Sequence, residues 1–314
     1  MNKARKTTGL LVGGIALLAG SAHADFIMVA DTSVDRVLLL NAFDGSVVND
    51  NFLDIGAAAA SAGLTSSTAI EVLEVGNEFW VSDQLADRIW RFDHSGGFLG
   101  DIGGDGMTGN LNNIRGMHQV GNTVFAALGN DSALYGEGLV RINASTGAIE
   151  GSTNGRENAD TSYFDILQVG DELYVTNIDT GNDGIERYSL DGMTYLGNFV
   201  SSDGVTGLDF GQQIFERDNG NIYVGGFSPP SGVYEYDADG NFIGIAAGLD
   251  FGPRAAIDLG NGEVLWSNGN FLRTDGTIIL EDGSFRYFTS TTIPAPGSVA
   301  LLGFGALAGS RRRR

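Results

Sequence analysis

Ile70-Glu71-Val72-Leu73-Glu74-Val75, then Gly76-Asn77, then Phe79-Trp80-Val81-Ser82-Asp83 open the stretch that decides the fold. A polar loop closing on Asp87-Arg88 leads into Ile89-Trp90-Arg91-Phe92-Asp93, and Gly96-Gly97 turns the chain into Phe98-Leu99-Gly100-Asp101-Ile102. Four short runs rich in aromatic and branched residues, divided by Gly, Asn and Asp, predict four antiparallel strands joined by tight turns.

The same unit recurs along the chain. Its second strand is matched at Ile27-Met28-Val29, Val124-Phe125-Ala126, Leu173-Tyr174-Val175, Ile222-Tyr223-Val224 and Val264-Leu265-Trp266. Two residues further on stand Asp31, Asp83, Leu128, Asn177, Gly226 and Asn268, mostly types that bond nearby backbone N–H groups and start turns. Third strands then run into turns such as Asp44-Gly45, Thr146-Gly147, Asp191-Gly192, Asp239-Gly240 and Asp275-Gly276, a strong hairpin signal. The repeat approaches the ~40–50 residues of one propeller blade. The expected fold is all-β: a single six-bladed β-propeller with four antiparallel strands per blade.

Blade 1 lacks a first strand, because Phe26 to Ala30 already reads as a second one. Phe285 to Thr289 is left over beyond blade 6 and is expected to complete blade 1. Such closure removes the open edges of the ring. The expected domain is therefore residues 25–289, with no internal linker. The Ala-rich stretch Gly56 to Ala62 and the Gly-rich stretch Gly100 to Gly109 fall in connections, the first as a helical turn. No helix pattern follows Gly103-Gly104 and Gly106, so they do not read as a phosphate cradle.

The two ends read as addresses. Lys3, Arg5 and Lys6 precede an apolar Leu10 to Leu18, and Ala22-His23-Ala24 is a small-x-small cleavage site before Asp25. Residues 1–24 are thus expected to be a signal peptide removed by signal peptidase. At the other end (residues 290–314) a polar spacer leads to Pro294-Ala295-Pro296-Gly297, a short apolar run from Ser298 to Gly309, and Arg311, Arg312, Arg313 and Arg314. A basic end after an apolar segment is held on the cytoplasmic side. This layout resembles the PEP-CTERM sorting signal, with Ala295 where the family name records Glu. The resemblance implies an exosortase-like membrane protease as partner and cleavage near the Pro motif. It also implies an exported chain, tethered transiently by its tail and then placed at the cell surface or outside the cell.

The chain has 18 basic and 39 acidic residues among 314, and no Cys. That excludes disulfides, thiolate metal sites and a Cys nucleophile. All seven basic residues of the two ends are removed with them, which leaves eleven arginines, no lysine and a net charge of −28. Such a domain is a poor partner for nucleic acid or anionic lipid.

The repeated strand, Asp-x-x-Asp-Arg loop, strand and Asp-Gly turn, seen at Asp83 to Arg88 and with altered spacing at Asp31 to Arg36, resembles NHL-like and lyase-like β-propellers. The resemblance implies a fold and leaves the reaction open.

Chemistry has few places to sit. Loops from second to third strands gather Asp31, Asp35, Asp83, Asp87, Asn130, Asp131, Asn177, Asp179 and Asp183 on one face. Hard oxygen donors in that density admit Ca²⁺, which takes about 6–8 oxygens. The metal candidates are Asp179 and Asp183 in a loop that starts like a calcium loop, and Asp237 and Asp239 in a shorter one. Both also read as structural turns. The catalytic candidates are His118, as a general base on a first strand near the channel, and Arg115, as a carboxylate clamp three residues earlier. Glu71 and Asp165 hold comparable first-strand positions. With two histidines left after leader removal, a three-His metal site is impossible.

The favoured reading is an exported propeller that binds an extracellular ligand, polysaccharide or protein, or serves as a structural display module. The other is a secreted lyase or lactonase working in the channel.

Overall fold

The computed structural model describes residues 26–292, apart from 66, 104–110, 133–135, 154–160, 180–182 and 203–206. The expected signal-peptide segment with Ala22 and Ala24, Asp25 after it, and residues Pro294 to Arg314 lie outside the described residues.

Strands follow the repeat. Blade 1 holds β1 (Phe26–Asp31), β2 (Arg36–Asn41) and β3 (Val47–Asp54), followed by the short helix α1 (Ile55–Ser61). Blade 2 holds β4 (Ala69–Val75), β5 (Glu78–Asp83), β6 (Arg88–Asp93) and β7 (Phe98–Gly103). Blade 3 holds β8 (Ile114–Val120), β9 (Thr123–Ser132), β10 (Gly136–Asn143) and β11 (Ile149–Thr153). Blade 4 holds β12 (Tyr163–Val169), β13 (Glu172–Asn177), β14 (Gly184–Ser189) and β15 (Tyr195–Ser201). Blade 5 holds β16 (Gly211–Glu216), β17 (Ile222–Gly226), β18 (Gly232–Tyr236) and β19 (Phe242–Ala247). Blade 6 holds β20 (Ala255–Asp258), β21 (Val264–Ser267), β22 (Leu272–Arg273) and β23 (Ile278–Leu280), and β24 (Phe285–Thr291) follows.

Six four-stranded antiparallel sheets result, and β24 joins the first of them beside β1. The protein is a six-bladed β-propeller. The closing register pairs Phe26 with Thr291, Met28 with Thr289 and Val29 with Phe288. The closing strand thus runs two residues beyond the boundary expected at Thr289. The opening glycines of the Gly-rich stretch, Gly100 and Gly103, belong to β7, while 104–110 are not described. Asp54 caps α1, its Oδ1 accepting the Ala57 N–H at 2.8 Å.

Each blade's inner and middle strands bury both faces, which is why they read as nearly continuous apolar runs rather than alternating ones. In β1, Met28 and Ala30 pack toward blade 2 with Phe79, Val81 and Trp90, whereas Ile27 and Val29 pack toward blade 6 with Ile257 and Leu265. The same division makes a core between blades 2 and 3 around Trp80 and Met117, and one between blades 3 and 4 around Phe125 and Tyr188. Outer strands such as β3 and β7 are largely exposed at the rim.

In blades 1, 2 and 4 the Asp or Asn at the end of the second strand is a latch. Asp83 Oδ1 accepts the N–H of Thr68 at 2.8 Å, Asn177 Oδ1 that of Ser162 at 3.1 Å, and Asp31 Oδ1 that of Ser284 at 3.0 Å. All three donors immediately precede an inner strand, so one side chain fixes both a turn and the entry of the chain toward the axis.

Phe285 is fully buried on the closing strand, within the blade 6–blade 1 core. Phe285→Ala should cost about 3–5 kcal/mol of unfolding free energy, the range for truncating a buried Phe. Denaturant titration measures it, and a loss below about 1 kcal/mol would show that the ring does not depend on this closure.

Candidate functional site: the central channel

The inner strands β4, β8, β12, β16, β20 and β24 pack each on the next around the axis. In five of them the pairing register slips at the same place. Ala69 and Val72, Ile114 and Met117, Tyr163 and Ile166, Gly211 and Ile214, and Phe285 and Phe288 each enclose two residues where the partner strand has one. A bulge of this kind re-aims side chains. In blade 6 Arg254 precedes β20, and its N–H bonds Ser267 O at 2.6 Å while Ala255 pairs with Ser267. Arg254-Ala255 therefore take the equivalent place.

These six doublets form two layers. The first residues are Ile70, Arg115, Phe164, Gln212, Arg254 and Arg286, at the end where chains enter from neighbouring blades. The second are Glu71, Gly116, Asp165, Gln213, Ala255 and Tyr287.

The second layer ties blade to blade. Glu71 accepts the Met117 N–H of the next inner strand, and Asp165 Oδ2 accepts the Ile214 N–H at 2.8 Å. Gln213 bonds both backbone groups of Phe288, donating to its carbonyl at 2.7 Å and accepting its N–H at 2.9 Å. The Thr289 hydroxyl donates to Val72 O. Gly116 is required here, because a Cβ would lie 2.3 Å from Asp165 Oδ1.

Burial dominates the electrostatics. It pushes the Glu71 carboxyl well above the usual carboxylate range, and the nearby Asp165 charge raises it further. Asp165 is pushed up to about 8 by burial, against the opposing N–H bonds of Ile214 and Ile166. The Tyr287 phenol is raised by burial and by Asp165, and it feels Arg115, Glu71 and Arg254 as well.

The first layer is cationic. Arg115 donates to Ser162 Oγ at 3.1 Å, Tyr163 O at 3.0 Å and Asn113 Oδ1 at 3.1 Å, and its guanidinium lies 3.8 Å from the centre of the Phe164 ring. Arg254 stacks over Phe227 at 4.4 Å. Burial lowers Arg115 and Arg254 to about 10, with repulsion from Arg286 adding to the shift of Arg254. All three arginines stay cationic at neutral pH.

His118 does not share this site with Arg115, although both are on β8. Its Nε2 accepts the Gln168 N–H of β12 at 3.3 Å, and burial holds it down at about 4. It is a neutral acceptor between two blades. Asp179 and Asp183 flank residues that are not described. The Asp179 N–H bonds Asn177 Oδ1 at 3.0 Å, and burial with the charges of Asp209 and Asp179 raises Asp183. Asp237 closes the β18–β19 hairpin, taking the N–H groups of Asp239 and Asn241 at 3.0 and 2.9 Å. Among the described residues no three His, Asp or Glu side chains are placed to hold a metal ion. Two clefts open among the outer strands, away from the axis. One of about 490 Å³ is lined by Phe199, Tyr234, Tyr236 and Phe242, and one of about 300 Å³ by Phe251, Trp266 and Arg273.

Sequence reasoning placed Glu71, Asp165 and Arg115 on first strands but missed Gln212, Arg254, Arg286 and Tyr287. Counting two residues back from Val72, Met117, Ile166, Ile214, Ala256 and Phe288 would have aligned the first layer.

No protein-family model matches this chain, and no curated protein sequence does. Solved structures match it in fold. A chain of the nidogen/laminin complex superposes with a TM-score of 0.61 at 14% identity, covering 84% of this chain and 97% of that one. A gluconolactonase from Xanthomonas campestris gives 0.53 at 14% identity, with 87% and 91% covered. A catalytically inactive virginiamycin B lyase from Staphylococcus aureus, crystallised with quinupristin, gives 0.51 at 12% identity, with 84% and 86% covered.

The raised Asp165 carboxyl makes a signed prediction. The folded protein holds this proton up to about pH 8, whereas an unfolded Asp releases it near 3.8. Folding therefore binds a proton in that window, and stability falls as pH rises through it. In Asp165→Asn the amide replaces the protonated carboxyl and can still accept from Ile214. Melting temperatures between pH 5 and 9 should decline less steeply in the variant. An unchanged slope would mean that Asp165 is ionised in the folded state.

Proposed function

We propose that the chain is an exported propeller acting as a binding or display module, with the entrance of its central channel as the binding surface. The observation that carries this reading is the contrast between the two channel layers. The deeper layer spends Glu71, Asp165 and Gln213 on backbone bonds between blades. In the entrance layer Arg254 and Arg286 are cationic donors with little structural employment. That division suits recognition more than turnover, since a general base must reach its substrate and His118 is already engaged with Gln168.

Lactonase and lyase activities of structural neighbours offer the second reading, and their identity to this chain is too low to transfer a reaction. Export is supported by the basic, apolar and small-x-small order before Asp25. Sorting is supported by the sequence of Pro294-Ala295-Pro296-Gly297, apolar run and Arg311 to Arg314. The apolar run falls short of the ~20 residues of a relaxed span, so it suits a temporary handle for an exosortase-like protease.

Intact-mass measurement on protein recovered from its native host tests the proposal. The expected species begins at Asp25 and ends between Pro294 and Gly297. A product retaining Arg311 to Arg314 would make it tail-anchored instead. In parallel, His118→Ala should leave ligand capture intact, while a turnover activity abolished by this change would establish the enzyme reading.

A further inference from the structure

Arg254 and Arg286 stand next to each other in the first channel layer, on adjoining inner strands. Neither has an ion pair or a side-chain hydrogen bond among the described residues, and the Nε of each is buried without a partner. Arg36, Arg88, Arg91, Arg187 and Arg217, by contrast, all pair with acids. A chain with 39 acidic residues had ample means to neutralise these two as well. Two adjacent, half-buried guanidiniums without a counter-ion destabilise the fold they sit in.

Other unfilled atoms of the channel have the same polarity. Gln212 Nε2 is a buried donor without a partner, and the Tyr287 hydroxyl is fully buried and equally unbonded. Asp165 Oδ1 is also unpartnered, and its carboxyl keeps a proton at neutral pH, so it too can donate. Five side chains, from β12, β16, β24 and the lead into β20, thus present donors and lack an acceptor. Ile70 and Phe164 add apolar surface to the layer, which strengthens any charge interaction formed there.

We propose that this entrance is an oxyanion site, in which a ligand carboxylate lies against Arg254 and Arg286 with Gln212 and, one layer deeper, Tyr287 as further donors. Guanidinium forks match the planar, two-oxygen shape of a carboxylate. The domain is strongly acidic, so a singly charged group is favoured over a phosphate dianion. Arg115 faces the same entrance but is held by Ser162 and Tyr163, and it contributes field rather than a contact. The proposal deepens the binding-module reading and rests on it.

The test is thermal unfolding and calorimetric titration of the purified full chain, in buffer free of carboxylate and phosphate. The probes are acetate, galacturonate, neutral galactose and inorganic phosphate. Acetate and galacturonate should raise the melting temperature in proportion to the logarithm of concentration, and galactose should not. Arg254→Gln and Arg286→Gln should each weaken carboxylate binding at least about tenfold. Without ligand, both variants should melt at or above the parent temperature, because an uncompensated charge has been removed. Four results would each overturn the site: no carboxylate response, a response to phosphate alone, a response equal in the variants, or variants that melt lower than the parent. Turnover of galacturonate by the parent chain would instead remove the binding-module reading and leave the oxyanion site standing.

Discussion

Everything in this molecule depends on a strand from the end of the domain pairing with one from its beginning. Six wedge-shaped sheets bury their apolar faces only against each other, so a missing inner strand would expose two interblade cores and an open edge. The β24–β1 ladder supplies it, reinforced by Thr32 N–H on Ser284 O and Ser284 N–H on Asp31, each at 3.0 Å. The closing segment does more than seal. Arg286 and Tyr287 occupy its bulge, so the residues that complete the ring also complete the channel entrance.

The bulges explain why a fold so legible in sequence hides its site. The blades could be read because their signals are local: a branched or aromatic run, an Asp or Asn two residues on, an Asp-Gly turn. The leftover Phe285 to Thr289 could be assigned by counting strands. A bulge leaves no such mark, since it exists only relative to the partner strand. Ile70-Glu71 and Arg286-Tyr287 share no residue type, and their equivalence appears once Ala69 is seen opposite Asp83 and Phe285 opposite Asp31. Blade 6 obscures the alignment further, because β22 has two residues and Arg254 lies just outside its strand.

The same reasoning separates visible acids from usable ones. The Asp and Asn residues on the loop face looked like possible metal donors. Asp31, Asp83 and Asn177 are largely consumed as latches and turn acceptors. Short polar side chains are chosen at such places because they satisfy backbone N–H groups that would otherwise be buried and unmet. Density of carboxylates in a sequence is then evidence of turns before it is evidence of a metal. The informative polar groups are those left without structural employment, and in this channel they are nearly all donors.

Placing two of those donors on the closing strand and its neighbour has a thermodynamic consequence. Arg254 and Arg286 repel each other across the β20–β24 contact, where blade 6 meets the strand that closes blade 1. The unoccupied site therefore works against ring closure. An anion that neutralises the pair removes this repulsion and gains charge-assisted hydrogen bonds to both strands, so its binding free energy adds directly to the stability of the closure. Ligand occupancy and ring integrity are linked equilibria, and each must bias the other by the same amount. A propeller built this way is most firmly closed when its channel is filled.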